Sequence, residues 1–267
     1  MQEFEPGALY EKAMSPLGIG AALWHPEDRV EIGDVGYLSH GSFIRMFNVM
    51  LPPSKNGGAL PEDYDVLQPS TGKVMTEVKP MIKTSKNISL KSPSIAEFTS
   101  SQHPFPMTFH FVAHGGPGAV LVTLENAISE EIKPCPEFEA HFMDNYRQWI
   151  CTARECFGQI LREEDLILVR GHTKIRSRWV TVALNGSGPF TLEVDERNGA
   201  SLASEKDFPV SVRYGLVSAA DAARKIYEQE LAQGFSRTFV EENQCLLVKL
   251  YSMKKRVFGS PRVVSTM

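Results

Sequence analysis

A histidine beside consecutive glycines at the end of an apolar run can do chemistry, and this chain has one: His114-Gly115-Gly116-Pro117-Gly118 follows the stretch Met107 to Ala113. A strand ending in such a turn can lend backbone N–H groups to an oxyanion hole, which stabilises the tetrahedral intermediate of acyl transfer. That chemistry also needs a serine on a sharp strand-to-helix elbow and a histidine base. The elbow-like serine is Ser201, in Gly199-Ala200-Ser201-Leu202-Ala203, and the last histidine of the chain, His172, precedes it. A triad in another chain order would have to recruit His114, His141 or His172, because triads are defined by geometry rather than by order. The residues before Ser201, Phe190 to Arg197, alternate and end charged, as an exposed strand does, whereas an elbow follows a buried one. Glycines between two apolar runs also serve a β-hairpin turn for steric reasons alone. The glycine string is therefore read as a turn between strands Thr108 to Ala113 and Ala119 to Leu124. His114, Gly115, Gly116 and His172 define only an alternative, a hydrolase or specialised-metabolism enzyme built on this turn.

Other constellations exclude more than they support. His110 and His114 are four apart, a spacing that aligns imidazoles on a helix but separates them by roughly 13 Å on a strand, and neighbouring Pro106 and the glycines disfavour a helix. Cys135, Cys151, Cys156 and Cys245 form no Cys-x-x-Cys knuckle and are too sparse for a disulfide scaffold, so they read as reduced thiols. No glycine-rich dinucleotide or P-loop string occurs. We expect no metal and no cofactor.

Two segments concentrate positive charge. From Thr71 to Thr99, Lys73, Lys79, Lys83, Lys86 and Lys91 are interleaved with apolar and hydroxyl side chains, a pattern suited to an edge hairpin whose lysines block pairing with other chains or to an anionic surface. Arg170 to Arg178 places Arg170, Lys174, Arg176 and Arg178 in what reads as a turn between two strands, able to grip a phosphate or an acidic partner. The whole chain carries 28 basic and 32 acidic residues, a net charge of −4, which argues against a nucleic-acid binder. The expected function is non-catalytic: basic patches formed by Lys79, Lys83, Lys86, Lys174, Arg176 and Arg178 meeting an acidic protein partner or anionic lipid. A pore-forming variant, in which residues 71 to 99 refold into a membrane hairpin, is opposed by Pro80 and Pro93, since a spanning strand needs about 9 to 11 alternating residues.

The elements that must carry these residues follow from pattern. The chain has 267 residues, 42% of them hydrophobic, enough to bury a large core in one domain over 1–267. No basic start followed by an apolar run marks the N-terminus and no stretch has the length of a membrane span, so a cytoplasmic protein is expected. Tyr37 to Met50, with Phe43, Ile44, Met46, Phe47 and Val49 after the turn Ser39-His40-Gly41, reads as a strand or hairpin arm. Residues 51–70, rich in proline and glycine, read as a surface loop. Pro136 opens a helix over Glu137 to about Leu161, with Phe138, Phe142, Trp149, Ala153, Phe157 and Ile160 at helical spacing. Strands are expected at Leu166 to Arg170, Trp179 to Leu184 and Cys245 to Tyr251, a shorter helix from Ser218, and a loose basic tail over 254–267. The sum is an α+β fold: an antiparallel or mixed sheet with one long and one shorter packed helix.

Several strings together resemble a family of proteins from mushroom-forming (basidiomycete) fungi that has no established activity. They are Gly7-Ala8-Leu9-Tyr10, Leu23-Trp24-His25-Pro26, Ile32 to Leu38, Phe43 to Asn48, Asp165 to Val169 with Lys174 and Trp179, and Asn243 to Val248. The resemblance implies an intracellular fungal origin and carries over no catalytic residue; lineage-restricted families of this kind serve in self-recognition, defence and specialised metabolism.

Overall fold

The computed structural model describes residues 4–26, 30–56, 60, 66–67, 79–80, 88–101, 107–123, 127–132, 136–175, 179–195, 199–215, 244–254 and 262–265. In chain order the elements are α1 (Pro6–Met14), β1 (Ala21–Ala22), β2 (Asp34–Ser39), β3 (Ser42–Asn48), β4 (Lys79–Pro80), β5 (Ile88–Lys91), β6 (Ile95–Ser101), β7 (Met107–Thr123), β8 (Ile128–Glu131), α2 (Pro136–Phe157), β9 (Ile167–Ile175), β10 (Trp179–Asp195), β11 (Gly199–Ser204), β12 (Val210–Gly215), β13 (Gln244–Lys254) and β14 (Arg262–Ser265). All strand pairings among the described residues are antiparallel. The expectation of an α+β fold holds in its coarse form: antiparallel sheets dominate and the helical part is small.

The strands form two sheets. The first contains β1, β13, β9, β2 and β3 in that order, with β14 on β13, β8 on β9 and β4 on β8; the second contains β11, β10, β7 and β5, with β12 on β10 and β6 on β7. The strand ends that flank four connections between the sheets fall in matching order. In the first sheet Pro80 lies opposite Ile128, Ile128 opposite Lys174, and Lys174 opposite Cys245. In the second, Ile88 lies opposite Thr123, Thr123 opposite Trp179, and Trp179 opposite Gly215. The order β4, β8, β9, β13 is thus matched by β5, β7, β10, β12, and Ile175, Leu246 and Leu247 of the first sheet share a buried cluster with Ala119, Leu121 and Trp179 of the second, which makes this junction the corner between the sheets.

β7 and β10 are each 17 residues long and pair from Thr123 opposite Trp179 to Met107 opposite Val194. On one face of this ribbon Phe109, Phe111, Val120, Val122, Val180, Val182, Phe190 and Leu192 form a continuous apolar cluster. The other face changes character midway. Thr108, His110, Thr191 and Glu193 are partly or fully exposed, whereas Ala119, Leu121, Trp179 and Ala183 are buried beneath α1 and the first sheet, with Tyr10, Met14, Trp24 and Leu247. Period-two alternation therefore survives in one half and is replaced by a fully apolar run in the half covered twice.

The helix of the aromatic stripe packs on the first sheet. Phe138, Phe142, Tyr146, Trp149 and Ala153 are buried against Val35, Phe47, Leu168 and Tyr251, with Trp149 edge-on to Phe47 at 5.8 Å between ring centres. It ends at Phe157, four residues before the expected limit. Gly158 adopts φ +66° and its N–H bonds to Arg154 O, the left-handed glycine stop with a single 5→1 bond, and Gln159 N–H bonds to Ala153 O. Ile160 lies beyond this stop, 90% exposed, and is no part of the stripe.

Several sequence expectations are corrected. The glycine string joins no hairpin but lies inside β7. Within residues 71–99, the described strands β4 and β5 belong to different sheets and do not form the expected edge hairpin with each other. The Arg170 to Arg178 segment is likewise no hairpin turn: β9 pairs with β8, β13 and β2, and the chain crosses to the other sheet after Ile175. The tail is not wholly loose, since Arg262–Ser265 pairs with β13. Helix α1 carries no strong pattern in the sequence and was not foreseen there. The helix expected from Ser218 lies outside the described residues.

Trp179 joins the two sheets at the corner. It is 2% exposed, and its indole N–H donates to Gln244 Oε1 at the first residue of β13. Trp179→Ala should cost about 3–5 kcal/mol, and Trp179→Phe, which keeps most of the packing but loses the hydrogen bond, about 1–2 kcal/mol. Urea unfolding midpoints of the two variants check this ordering.

Candidate functional site

The glycine string bends the long ribbon. Gly115 and Gly116 have φ of +112° and +71°, and a register shift lies opposite them between Asn185 and Ser187. The bend is fastened from the β5–β6 connection: Ala119 N–H donates to Ser92 Oγ at 3.0 Å, the Ser92 and Ser94 hydroxyls are 2.9 Å apart, and Ser94 Oγ donates to Pro117 O at 2.7 Å. His114 N–H bonds to Ser94 O at 2.9 Å. Part of the backbone that an oxyanion hole would use is thus engaged in holding the strand, and the His114 ring is exposed with no serine or cysteine bonded to it among the described residues. Ser201 stands exposed in β11, an outer strand of its sheet, not at a strand-to-helix turn. His110, also exposed, contacts Thr191 Oγ1 at 3.0 Å with no carboxylate bonded to the ring. Among the described residues the geometry gives the hydrolytic alternative no nucleophile, base and orienting acid in one place.

His172 sits elsewhere, on β9 in a cluster of opposed charges. The ring is buried, with Nε2 3.8 Å from both Glu31 Oε2 and Glu130 Oε2, and its Nδ1 has no hydrogen-bond partner. Glu130 lies directly opposite His172 across the strand pair, so the register itself brings them together. Lys174, two residues on, bonds through Nζ to Glu31 Oε1 at 2.8 Å and has only 12% of its side chain exposed. Two residues back, the Arg170 guanidinium is buried: Nη1 reaches Ile132 O at 3.4 Å and Glu131 Oε2 at 3.6 Å, and the group stacks over Tyr251. Glu131 also meets Lys249, the two residues facing Gly171 from opposite sides. A side chain at Gly171 would put its Cβ 2.6 Å from Glu130 O and Glu131 Cβ, so the close strand approach needs glycine there.

Of the residues expected to form a basic surface, Lys174 is consequently spent inside the protein. Lys79 is in β4, the outermost strand of its sheet, next to the corner. Lys83, Lys86, Arg176 and Arg178 lie outside the described residues. Glu31, Glu130, Glu131 and Lys249 were not singled out from the sequence; only the pairing of β8 with β9 and of β13 with β9 reveals them. Among the described residues no group of histidine, cysteine and carboxylate side chains is arranged to hold a metal ion, and no helix is long and apolar enough to cross a membrane.

A second buried polar group lies beneath the β2–β3 hairpin. Asp34, fully buried, accepts Glu31 N–H at 2.7 Å, Asn48 Nδ2 at 2.8 Å and Arg45 Nε at 2.8 Å. Burial pushes the Asp34 carboxyl above its ordinary range, against the opposing pull of these partners. Asn56 in turn bonds to both the N–H and the C=O of Asn48. These groups hold the loop after β3 in place and present no open face to a ligand.

An open groove of about 620 Å³ lies at the other end of the first sheet, beside the end of α1. Its floor includes Leu38, Ile167 and Leu250, and its rim includes Glu11, Glu164 and Ser252. None of these residues was singled out in the sequence, because they come from four separate stretches of chain.

Comparison of the sequence with family models and with curated proteins gives no match.

Glu31 supplies a direct check on the charge cluster. His172 and the Lys174 ammonium hold its carboxyl down at about 2, against partial desolvation. A carboxylate with a depressed folded-state pKa stabilises the fold above its unfolded value and loses that contribution as pH falls. With an ordinary value of 4.5, the loss should fall between about pH 4.5 and pH 2. Because the side chain is 61% exposed, solvent screening limits the effect to about 0.5–1 kcal/mol. Glu31→Gln should therefore be less stable than wild type by that amount at pH 7, and the difference should vanish near pH 2 in parallel denaturant titrations.

Proposed function

We propose that the protein is non-catalytic and acts through a basic surface at the corner between the two sheets, contacting an anionic membrane or an acidic protein partner. The reading includes a cytosolic fungal protein of defence or self-recognition, and an α+β domain over 1–267 with one long and one shorter packed helix. One observation carries it. The two positively charged segments are far apart in sequence, yet the residues flanking them are neighbours in register: Ile128 lies opposite both Pro80 and Lys174, and Thr123 opposite both Ile88 and Trp179. The connections 81–87 and 176–178 therefore leave and rejoin the sheets two strands apart, about 10 Å at the usual strand spacing. They contribute Lys83, Lys86, Arg176 and Arg178. Lys174 and Arg170 are neutralised within the fold and lie outside this surface. The hydrolase reading gains no comparable observation.

Charge reversal of all four residues, Lys83→Glu, Lys86→Glu, Arg176→Glu and Arg178→Glu in one chain, is the test. Each basic residue near an anionic surface contributes about 1 kcal/mol, so binding to phosphatidylserine vesicles should fall by about two to three orders of magnitude and should weaken with salt in the wild type. Retention on polyglutamate without vesicle binding would identify an acidic protein as the partner. Equal binding to neutral and anionic vesicles, or a variant that binds both probes as well as wild type, would overturn the reading.

A further inference from the structure

We propose that the groove beside the end of α1 binds an amphiphilic amine, a ligand with an ammonium head and a short aliphatic body. The groove is separate from the basic corner. It lies at the Ile167 end of β9, whereas the corner begins at Ile175, roughly 26 Å away at the rise of an extended strand. Its volume of about 620 Å³ falls within the roughly 300–1,000 Å³ of small-molecule sites.

The lining selects the ligand chemistry. Leu38, Ile167 and Leu250, with Ala21 beside them, form an apolar floor on the face of the first sheet that also buries Leu23, Phe43 and Val169. The charged residues of the described lining are Glu11 and Glu164; no described lysine, arginine or histidine is among them. Glu164 is joined by Arg162 at 3.4 Å. Among the described residues Glu11 has no such neighbour. Burial pushes its carboxyl above the ordinary range. A partly desolvated carboxylate without a partner is an unfavourable arrangement that a bound ammonium would relieve. Hydroxyls of Ser15, Ser252 and Ser265 on the rim offer acceptors for the remaining N–H groups of such a head. An anionic amphiphile would meet two carboxylates, and a neutral one would leave Glu11 as it is.

The probes are n-octylamine, octanol and octanoate, which share one body length and differ in the head, titrated into the full chain by calorimetry near pH 7. Octylammonium should bind saturably and at least about ten times more tightly than octanol, the gain expected of one charge-assisted hydrogen bond, and octanoate should not bind. Glu11→Gln, which keeps the side chain's size, should remove about that tenfold preference while leaving circular dichroism unchanged. Ser252→Trp, which fills the groove and leaves Glu11 in the sequence, should abolish binding of the amine and the alcohol alike. Lowering the pH toward the raised value of Glu11 should weaken the amine and not the alcohol. Absence of saturable amine binding, equal affinity for amine and alcohol, or a Glu11→Gln protein that still prefers the amine would each overturn the assignment. None of these results bears on the basic corner, whose test uses different residues and probes.

Discussion

The pairing of β7 with β10 is the constraint on which the rest of the structure depends. Both strands run the full width of the second sheet, and β5, β6, β11 and β12 each attach to one half of one of them. The same two strands set the corner, because the register of Thr123 with Trp179 fixes where β8 and β9 must begin and end in the first sheet. Alternation secures that register: a slip of one residue would turn Phe109, Phe111, Phe190 and Leu192 toward solvent and bring Thr108 and Glu193 into the core. The bend at Gly115 and Gly116 belongs to the same arrangement. It adjusts the direction of a strand too long to stay straight while paired on both edges, and the Ser92 and Ser94 hydroxyls hold it in place.

Charge follows this architecture. Within the first sheet the basic residues of β9 are met by acidic neighbours, Arg170 by Glu131 and Lys174 by Glu31, with His172 between Glu31 and Glu130. A buried cation without a partner would cost several kcal/mol, so residues that enter the sheet must bring counter-charges with them. A net charge of −4 for the whole chain says little about the local field at any one face.

Where the sequence spoke through periodicity, it was legible. The aromatic spacing of Phe138, Phe142, Trp149 and Ala153 located α2, and the apolar run after the turn Ser39-His40-Gly41 located β3. Where meaning depended on partners remote in the chain, it was not. The glycines of 114–118 look like a hairpin turn because a bend inside one strand and a turn between two strands use the same residues; the choice is made by Asn185 to Pro189, about seventy residues on. Arg170, His172 and Lys174 look like a solvated turn because their counter-charges lie on β8 and before β2. The groove was invisible for a similar reason: Glu11, Glu164 and Leu250 become neighbours only after α1 and β13 are docked on the first sheet.

The strings that carry the resemblance to the fungal family are mainly structural in this light. Asp34 and Asn48 anchor the β2–β3 hairpin through buried hydrogen bonds, Tyr10 and Trp24 pack against each other at 5.3 Å between ring centres, and Trp179 fastens the corner. Such residues define a scaffold and leave its use open. Among the described residues, the group this scaffold leaves unbalanced stands at the Ile167 end of β9, where the partly buried Glu11 carboxylate lies beside an apolar floor. Among the described residues, the histidines that the hydrolytic alternative would use lie apart, His114 at the bend of β7 and His172 on β9 of the other sheet.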